Sequence, residues 1–197
     1  MLFTLDQLRE NPRNWLGFRG YGDSDRYYGV PWHEILPIAF EYLDQLVAQK
    51  GFDSDDASWP CFDCALGAIE RYCDLFPDKT FDVCRGISQY FFSCNIDIAC
   101  RTIRLFEYGT FSRFIMFVSD QLISIAACQT PLQSPGEMTA RGVAFRVLFK
   151  LDPGYKFWPS LRSAREECIQ GLLAWGERRP EYRVQAQMIR QYTDCAK

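Results

Sequence analysis

The chain has 197 residues, of which 48% are hydrophobic and 24% are charged, and its formal net charge is −3. This composition is typical of a folded globular protein and excludes an intrinsically disordered chain. No run approaches the roughly 18 consecutive apolar residues of a membrane span. The N-terminus also lacks the cationic and apolar segments of a signal peptide. We therefore expect a cytoplasmic protein without a membrane contact.

Acidic and basic side chains are unevenly distributed along the chain. Residues 1–82 contain 15 acidic and 7 basic side chains, whereas the remainder contains 10 acidic and 15 basic ones. The basic residues are dispersed over separate predicted helices and form no continuous stripe. We therefore expect a dipolar molecule that makes no direct contact with nucleic acid.

The first part of the chain predicts helices separated by irregular segments. Thr4 has the position of an N-cap, and a short helix follows it. After an irregular acidic and aromatic loop at about 17–31, apolar residues recur every three or four positions over 32–49, which predicts a longer helix. Ser58 is the predicted N-cap of the next helix, and Thr80 begins another.

The second part contains the most apolar stretch. A helix is predicted over 96–106, and the next one, over 111–128, has apolar side chains on almost every side. Such a helix needs neighbours all around it, so we expect 111–128 to be the central core helix. Cys128 at its end is expected to be buried.

The segment after residue 133 has two interpretations. Ser134 and Glu137 form a capping pattern that begins a helix running to about residue 150. Val143, Phe145, Val147 and Phe149, however, recur at every second position, as large residues do in a strand. We favour the helix because the capping pattern is strong and the apolar residues also form a helical stripe.

The pattern as a whole predicts an all-α fold. With two further helices, one capped by Ser160 and one beginning at Pro180, the chain has about eight amphipathic helices and short connections. We predict a single-domain bundle spanning 1–197. A short stack of helical hairpins, or an α fold with a minor strand near 143–149, is the alternative.

Nine cysteines accompany a single histidine, His33. Most of the cysteines fall at helical spacing among apolar residues, where a reduced thiol behaves as a small hydrophobic side chain. Cys61 and Cys64 form a C-x-x-C motif at a predicted helix N-terminus, which lowers a thiol pKa and favours redox chemistry. Thioredoxin-type sites follow a strand, whereas an acidic loop precedes this motif. A thiol-dependent redox protein is therefore the alternative function.

Metal and cofactor sites have weak sequence support. A zinc site built on one C-x-x-C pair needs a second pair, and the intervals from Cys73 to Cys84 and from Cys94 to Cys100 are not those of zinc knuckles. The glycine-rich segment 17–22 lacks the lysine of a phosphate-binding loop. We predict neither a metal ion nor a cofactor.

Two irregular segments carry side chains that favour a protein partner. Aromatic residues beside charged ones are enriched at interaction hot spots, and acidic surfaces accelerate association with basic partners. The predicted partner-binding residues are Asp23, Asp25, Tyr27, Tyr28, Trp32, Asp53, Asp55 and Asp56. The aromatic residues among them have an alternative role, which is to pack onto the helices of their own chain.

These residues lead to a functional prediction. We expect a non-enzymatic protein that neutralises a basic toxin or nuclease by protein–protein contact, as immunity proteins and antitoxins do. A phage-type inhibitor of a defence nuclease would also bind a basic partner through an acidic surface, and it is an open alternative.

Overall fold

The computed structural model describes residues 4–18, 31–48, 58–93, 95–128 and 135–194. Every regular element in these ranges is helical, which confirms the all-α prediction. The α-helices are α1 (Leu5–Glu10), α2 (Trp32–Ala48), α3 (Ser58–Leu75), α4 (Thr80–Ser88), α5 (Ile96–Arg104), α6 (Ser119–Ala126), α7 (Pro135–Leu151), α8 (Ser160–Trp175) and α9 (Pro180–Asp194). Shorter 3₁₀ helices span Pro12–Phe18, Pro77–Lys79, Gln89–Phe92, Leu105–Glu107 and Thr110–Val118.

Local capping signals set several of these bounds. Thr4 caps α1 in a capping box, because its hydroxyl accepts from the Gln7 amide while the Gln7 side chain accepts from the Thr4 amide. The prediction that Ser160 caps α8 is wrong, since Pro159 occupies the N-cap position and no side chain caps the helix. The predicted cap at Ser134 lies outside the described residues.

The chain divides into two compact units, Met1–Val83 and Cys84–Lys197. In the first, α2 packs against α3, and the Pro12–Phe18 3₁₀ helix packs against α3 as well. Trp15 is fully buried and stacks on Tyr42 with 6.0 Å between ring centroids. The single-domain interpretation of 1–197 stays a prediction.

In the second unit, α7 is the central helix. It packs against α5, α6, α8 and α9, and every residue from 141 to 148 is buried. A Cβ atom at Gly142 would lie 2.6 Å from the Ile189 side chain of α9, so a larger residue there would force the end of that side chain to shift. The strand alternative for 143–149 is wrong, because the alternation belongs to a helix that is buried on all sides.

The prediction that 111–128 is a central core helix is also wrong. The segment forms two elements, the Thr110–Val118 3₁₀ helix and then α6. Met116 is 61% exposed and Phe117 is 59% exposed. Phe111, Ile115 and Val118 of the 3₁₀ helix are buried, whereas Met116 and Phe117 face outward. Cys128 is half-buried, not buried as predicted.

The cap of α5 gives a first testable prediction. The Asn95 side-chain oxygen accepts hydrogen bonds from the amides of Asp97 and Ile98, at 3.1 and 3.3 Å. Replacement Asn95→Ala should therefore lower the free energy of unfolding by about 1 kcal/mol, measured by urea denaturation. Asn95→Asp, which keeps the accepting oxygen, is the control and should lose much less. An equal loss in both variants would contradict this role.

Candidate functional site

The C-x-x-C motif lies on the first turns of α3. Cys61 is 1% exposed and Cys64 is 6% exposed. Trp59 and Phe62, from the same turns, contact each other edge to face at 5.6 Å and are buried too. A redox-active thiol needs access to its partner, so this burial argues against the thiol-dependent alternative. The two sulfurs belong to the core of the first unit.

The other described thiols occupy similar surroundings. Burial raises the pKa of the Cys73, Cys100 and Cys168 thiols from 9.0 to about 12. The Cys168 thiol also donates a hydrogen bond to the Met138 carbonyl at 3.3 Å. These three cysteines are protonated at neutral pH and fill the core as small side chains.

The raised thiol pKa values predict how stability depends on pH. Between pH 9 and about 12 the folded chain keeps the protons on Cys73, Cys100 and Cys168, while the unfolded chain loses them. Their contribution to stability is thus complete below pH 9 and is lost as the pH rises toward 12. Urea unfolding at pH 8, 9 and 10 measures this effect. The free energy of unfolding should fall less steeply with rising pH in the triple Cys→Ala variant than in the wild type. Identical slopes would contradict the raised pKa values.

His33 joins two helices of the first unit. Its Nδ1 atom lies 3.0 Å from the Tyr72 hydroxyl, and its ring packs 4.3 Å from the centroid of Phe76. Burial is the main cause that raises the Tyr72 pKa. His33 is exposed on the first turn of α2. It contacts Tyr72 of α3 and Phe76, which directly follows α3. These contacts support a structural role for the histidine.

The predicted partner-binding residues fall mostly outside the described part of the chain. Asp23, Asp25, Tyr27, Tyr28, Asp53, Asp55 and Asp56 are all in this group. Trp32 is described, and it is buried at the start of α2. Its burial is in line with the alternative role predicted for these aromatic residues. Among the described residues, no three His, Cys, Asp or Glu side chains cluster as metal ligands.

Several large apolar side chains of the second unit are exposed. We call four of them, Tyr108, Met116, Phe117 and Phe157, the aromatic surface. Tyr108 follows the Leu105–Glu107 3₁₀ helix, and Met116 and Phe117 belong to the Thr110–Val118 3₁₀ helix. Both 3₁₀ helices pack against α7, and Phe157 follows the end of α7.

The loop after α7 is built to present Phe157. The Asp152 carboxylate is buried and accepts a hydrogen bond from the Phe157 amide at 2.7 Å. Tyr155 has a positive φ of 51°, and its buried hydroxyl donates to the Phe145 carbonyl at 2.9 Å. A tyrosine in this backbone region costs about 1–2 kcal/mol. These contacts fix the loop, and Phe157 remains 80% exposed.

Cations accompany the aromatic surface. The Lys150 ammonium lies 4.3 Å from the centroid of the Tyr108 ring, a cation–π contact. Arg113 and Lys156 are exposed on the same segments as Met116 and Phe157. Aromatic residues, methionine and arginine are enriched at protein interfaces, whereas lysine is depleted there. The arrangement is thus suited to binding another protein.

Sequence patterns gave only a weak signal for this surface. The turn Asp152-Pro153-Gly154 was visible, and three aromatic residues follow it within four positions. Which of them is exposed depends on the contacts of Asp152 and Tyr155 with α7, which no local pattern encodes.

Comparison with protein families, curated proteins and solved structures found no match to this chain. None of the described helices is long and apolar enough to cross a membrane.

Proposed function

We propose that the protein is a non-enzymatic binding protein whose aromatic surface covers a protein partner. The observation that carries this proposal is the exposure of Tyr108, Met116, Phe117 and Phe157, each at least 59% exposed. Phenylalanine, tyrosine and methionine are enriched at protein interfaces. Burying these side chains against a partner would remove apolar area from water and stabilise the complex.

Within this class, we propose an immunity- or antitoxin-like inhibitor of a toxin or nuclease. The acidic segments of the N-terminal part support this finer proposal, since acidic surfaces accelerate association with basic partners. The aromatic surface carries exposed cations instead, which complement acidic side chains of a partner. The acidic segments and the aromatic surface therefore make separable contributions to binding.

Charge variants distinguish these two contributions. If the acidic segments bind, replacing Asp23, Asp25, Asp53, Asp55 and Asp56 by Asn should slow association with the partner. If the aromatic surface binds, Arg113→Gln with Lys156→Gln should slow it. Exposed charges act mainly on the association rate, so surface plasmon resonance at low salt is the appropriate measurement.

The apolar contact has its own test. Once co-purification has identified the partner, Phe157→Ser should weaken its affinity by about 10- to 1,000-fold, mostly through faster dissociation. Phe81→Ser, at an exposed phenylalanine of α4, is the matched control and should leave affinity unchanged. Equal affinities for the wild type, Phe157→Ser and Phe117→Ser would contradict a role for the aromatic surface.

A further inference from the structure

The second unit contains a cavity of about 300 Å³. Side chains of α5, α6 and α7 line it together with the Gln89–Phe92 3₁₀ helix. Most of its walls are apolar, including Phe91, Ile96 and Ile125, whereas Glu137 and Arg141 supply charge. Its volume is at the lower end of the range of small-molecule pockets, about 300–1,000 Å³.

Arg141 is the unusual side chain of this cavity. It is only 3% exposed, and its Nε atom donates to the Ala126 carbonyl at 3.1 Å. Its Nη1 atom is buried and has no hydrogen-bond partner within the described part of the chain. The described residues also place no carboxylate at ion-pair distance from this guanidinium. A buried charge without a counter-ion is costly.

Arg146, one and a half turns further along α7, shows how this helix otherwise accommodates a buried arginine. Its Nε and Nη2 atoms bind the two carboxylate oxygens of Glu107, at 2.5 and 3.1 Å. Both side chains are buried, so the charge of the guanidinium is matched inside the fold. Arg141 has the same burial without such an anion.

We propose that the cavity binds a small organic acid whose carboxylate pairs with Arg141 and whose apolar body lies against Phe91, Ile96 and Ile125. A carboxylate oxygen accepts a charge-assisted hydrogen bond from a guanidinium N–H, and since Nε is bound to Ala126, the ligand would pair with the terminal amino groups. The lining contains one arginine, Arg141, and one acidic residue, Glu137. Because the Glu137 carboxylate repels a dianion more strongly than a monoanion, the site favours a singly charged anion over a phosphate dianion. With about 30 Å³ for each water-sized group, the cavity volume accommodates an acid of about ten non-hydrogen atoms.

Octanoate is the probe of matching size and charge, and isothermal titration calorimetry of the full chain is the measurement. We expect saturable binding at one site per chain. Octan-1-ol, which keeps the body and lacks the charge, should bind about 10- to 100-fold more weakly, as the loss of a charged hydrogen-bond pair predicts. Octyl phosphate should also bind more weakly than octanoate. Absence of saturable octanoate binding, or equal binding of the alcohol, would overturn the proposal.

Two variants connect this binding to the cavity. Arg141→Met should weaken octanoate binding about 10- to 100-fold. It should destabilise the ligand-free protein by no more than about 1 kcal/mol, because the loss of the hydrogen bond to Ala126 is offset by the removal of an uncompensated buried charge. Ser124→Trp, at an exposed lining position, should block binding while the helical circular dichroism signal is kept. Full octanoate affinity in Ser124→Trp would overturn the proposal, as would strong destabilisation by Arg141→Met in the absence of ligand.

Cys128 provides an independent readout, because it lines the cavity and is half-buried. Peptide mass spectrometry follows the alkylation rate of Cys128. Saturating octanoate should lower this rate in the wild type, whereas in the Ser124→Trp variant the rates with and without octanoate should be equal. An alkylation rate that does not respond to octanoate in the wild type would place the ligand elsewhere and overturn the assignment.

Discussion

Replacing Glu107 by Leu should lower the free energy of unfolding by about 3–5 kcal/mol, the cost of leaving a buried charge without its partner. Glu107 and Arg146 are both buried, and two hydrogen bonds join them. The variant would leave the Arg146 guanidinium uncompensated beside the apolar core of the second unit. Guanidinium chloride denaturation followed by circular dichroism measures the loss.

Two controls show whether burial causes this effect. The double variant Glu107→Leu with Arg146→Met removes both charges and should regain most of the lost stability. Glu41→Ala removes the exposed partner of Arg9, 3.2 Å away, and should cost at most about 1 kcal/mol. A loss for Glu107→Leu no larger than that for Glu41→Ala would contradict the buried pair.

Phe106→Ala should cost about 3–5 kcal/mol for a different reason, the cavity left by a large core side chain. The Phe106 ring is fully buried and contacts Phe91 and Phe111, each with 5.4 Å between centroids. Denaturant unfolding measures the loss. Phe92→Ala, one residue after Phe91 and exposed, is the matched control and should cost less than about 1 kcal/mol. Similar losses in both variants would show that Phe106 lies outside the core.

Local chemistry made two of the helix starts predictable. Thr4 caps α1 as its position indicated, and α7 begins at Pro135, a proline suited to the first helical turn. Such signals act over three or four residues, so the sequence contains everything needed to recognise them.

The identity of the central helix was not predictable from local patterns. α7 contains Arg141 and Arg146, whereas 111–128 has apolar side chains on almost every side. Arg146 is buried because Glu107, 39 positions earlier, neutralises it. Met116 is exposed because the 3₁₀ helix turns it away from the core. Both outcomes depend on distant contacts, which hydrophobic periodicity does not contain.

The candidate site shows the same limit. The sequence pointed to aromatic residues in loops, and Trp32 among them is a core side chain in the structure. Phe157, which no pattern singled out, is exposed because Asp152 and Tyr155 fix the loop around it. Aromatic content predicted an interaction protein, but the choice of residues depended on tertiary packing.

The most direct test of the proposed function is a titration of the partner's activity with the purified protein. An inhibitor that covers its partner should abolish that activity at a fixed, low molar ratio, with a sharp end point once the concentrations exceed the dissociation constant. The Phe157→Ser variant binds more weakly, so its titration curve should fall gradually without a sharp end point. The Phe81→Ser variant should give the same sharp end point as the wild type. Inactivation by far less than one equivalent would indicate catalytic turnover, and unchanged activity at excess protein would exclude inhibition; either result would contradict the proposed function.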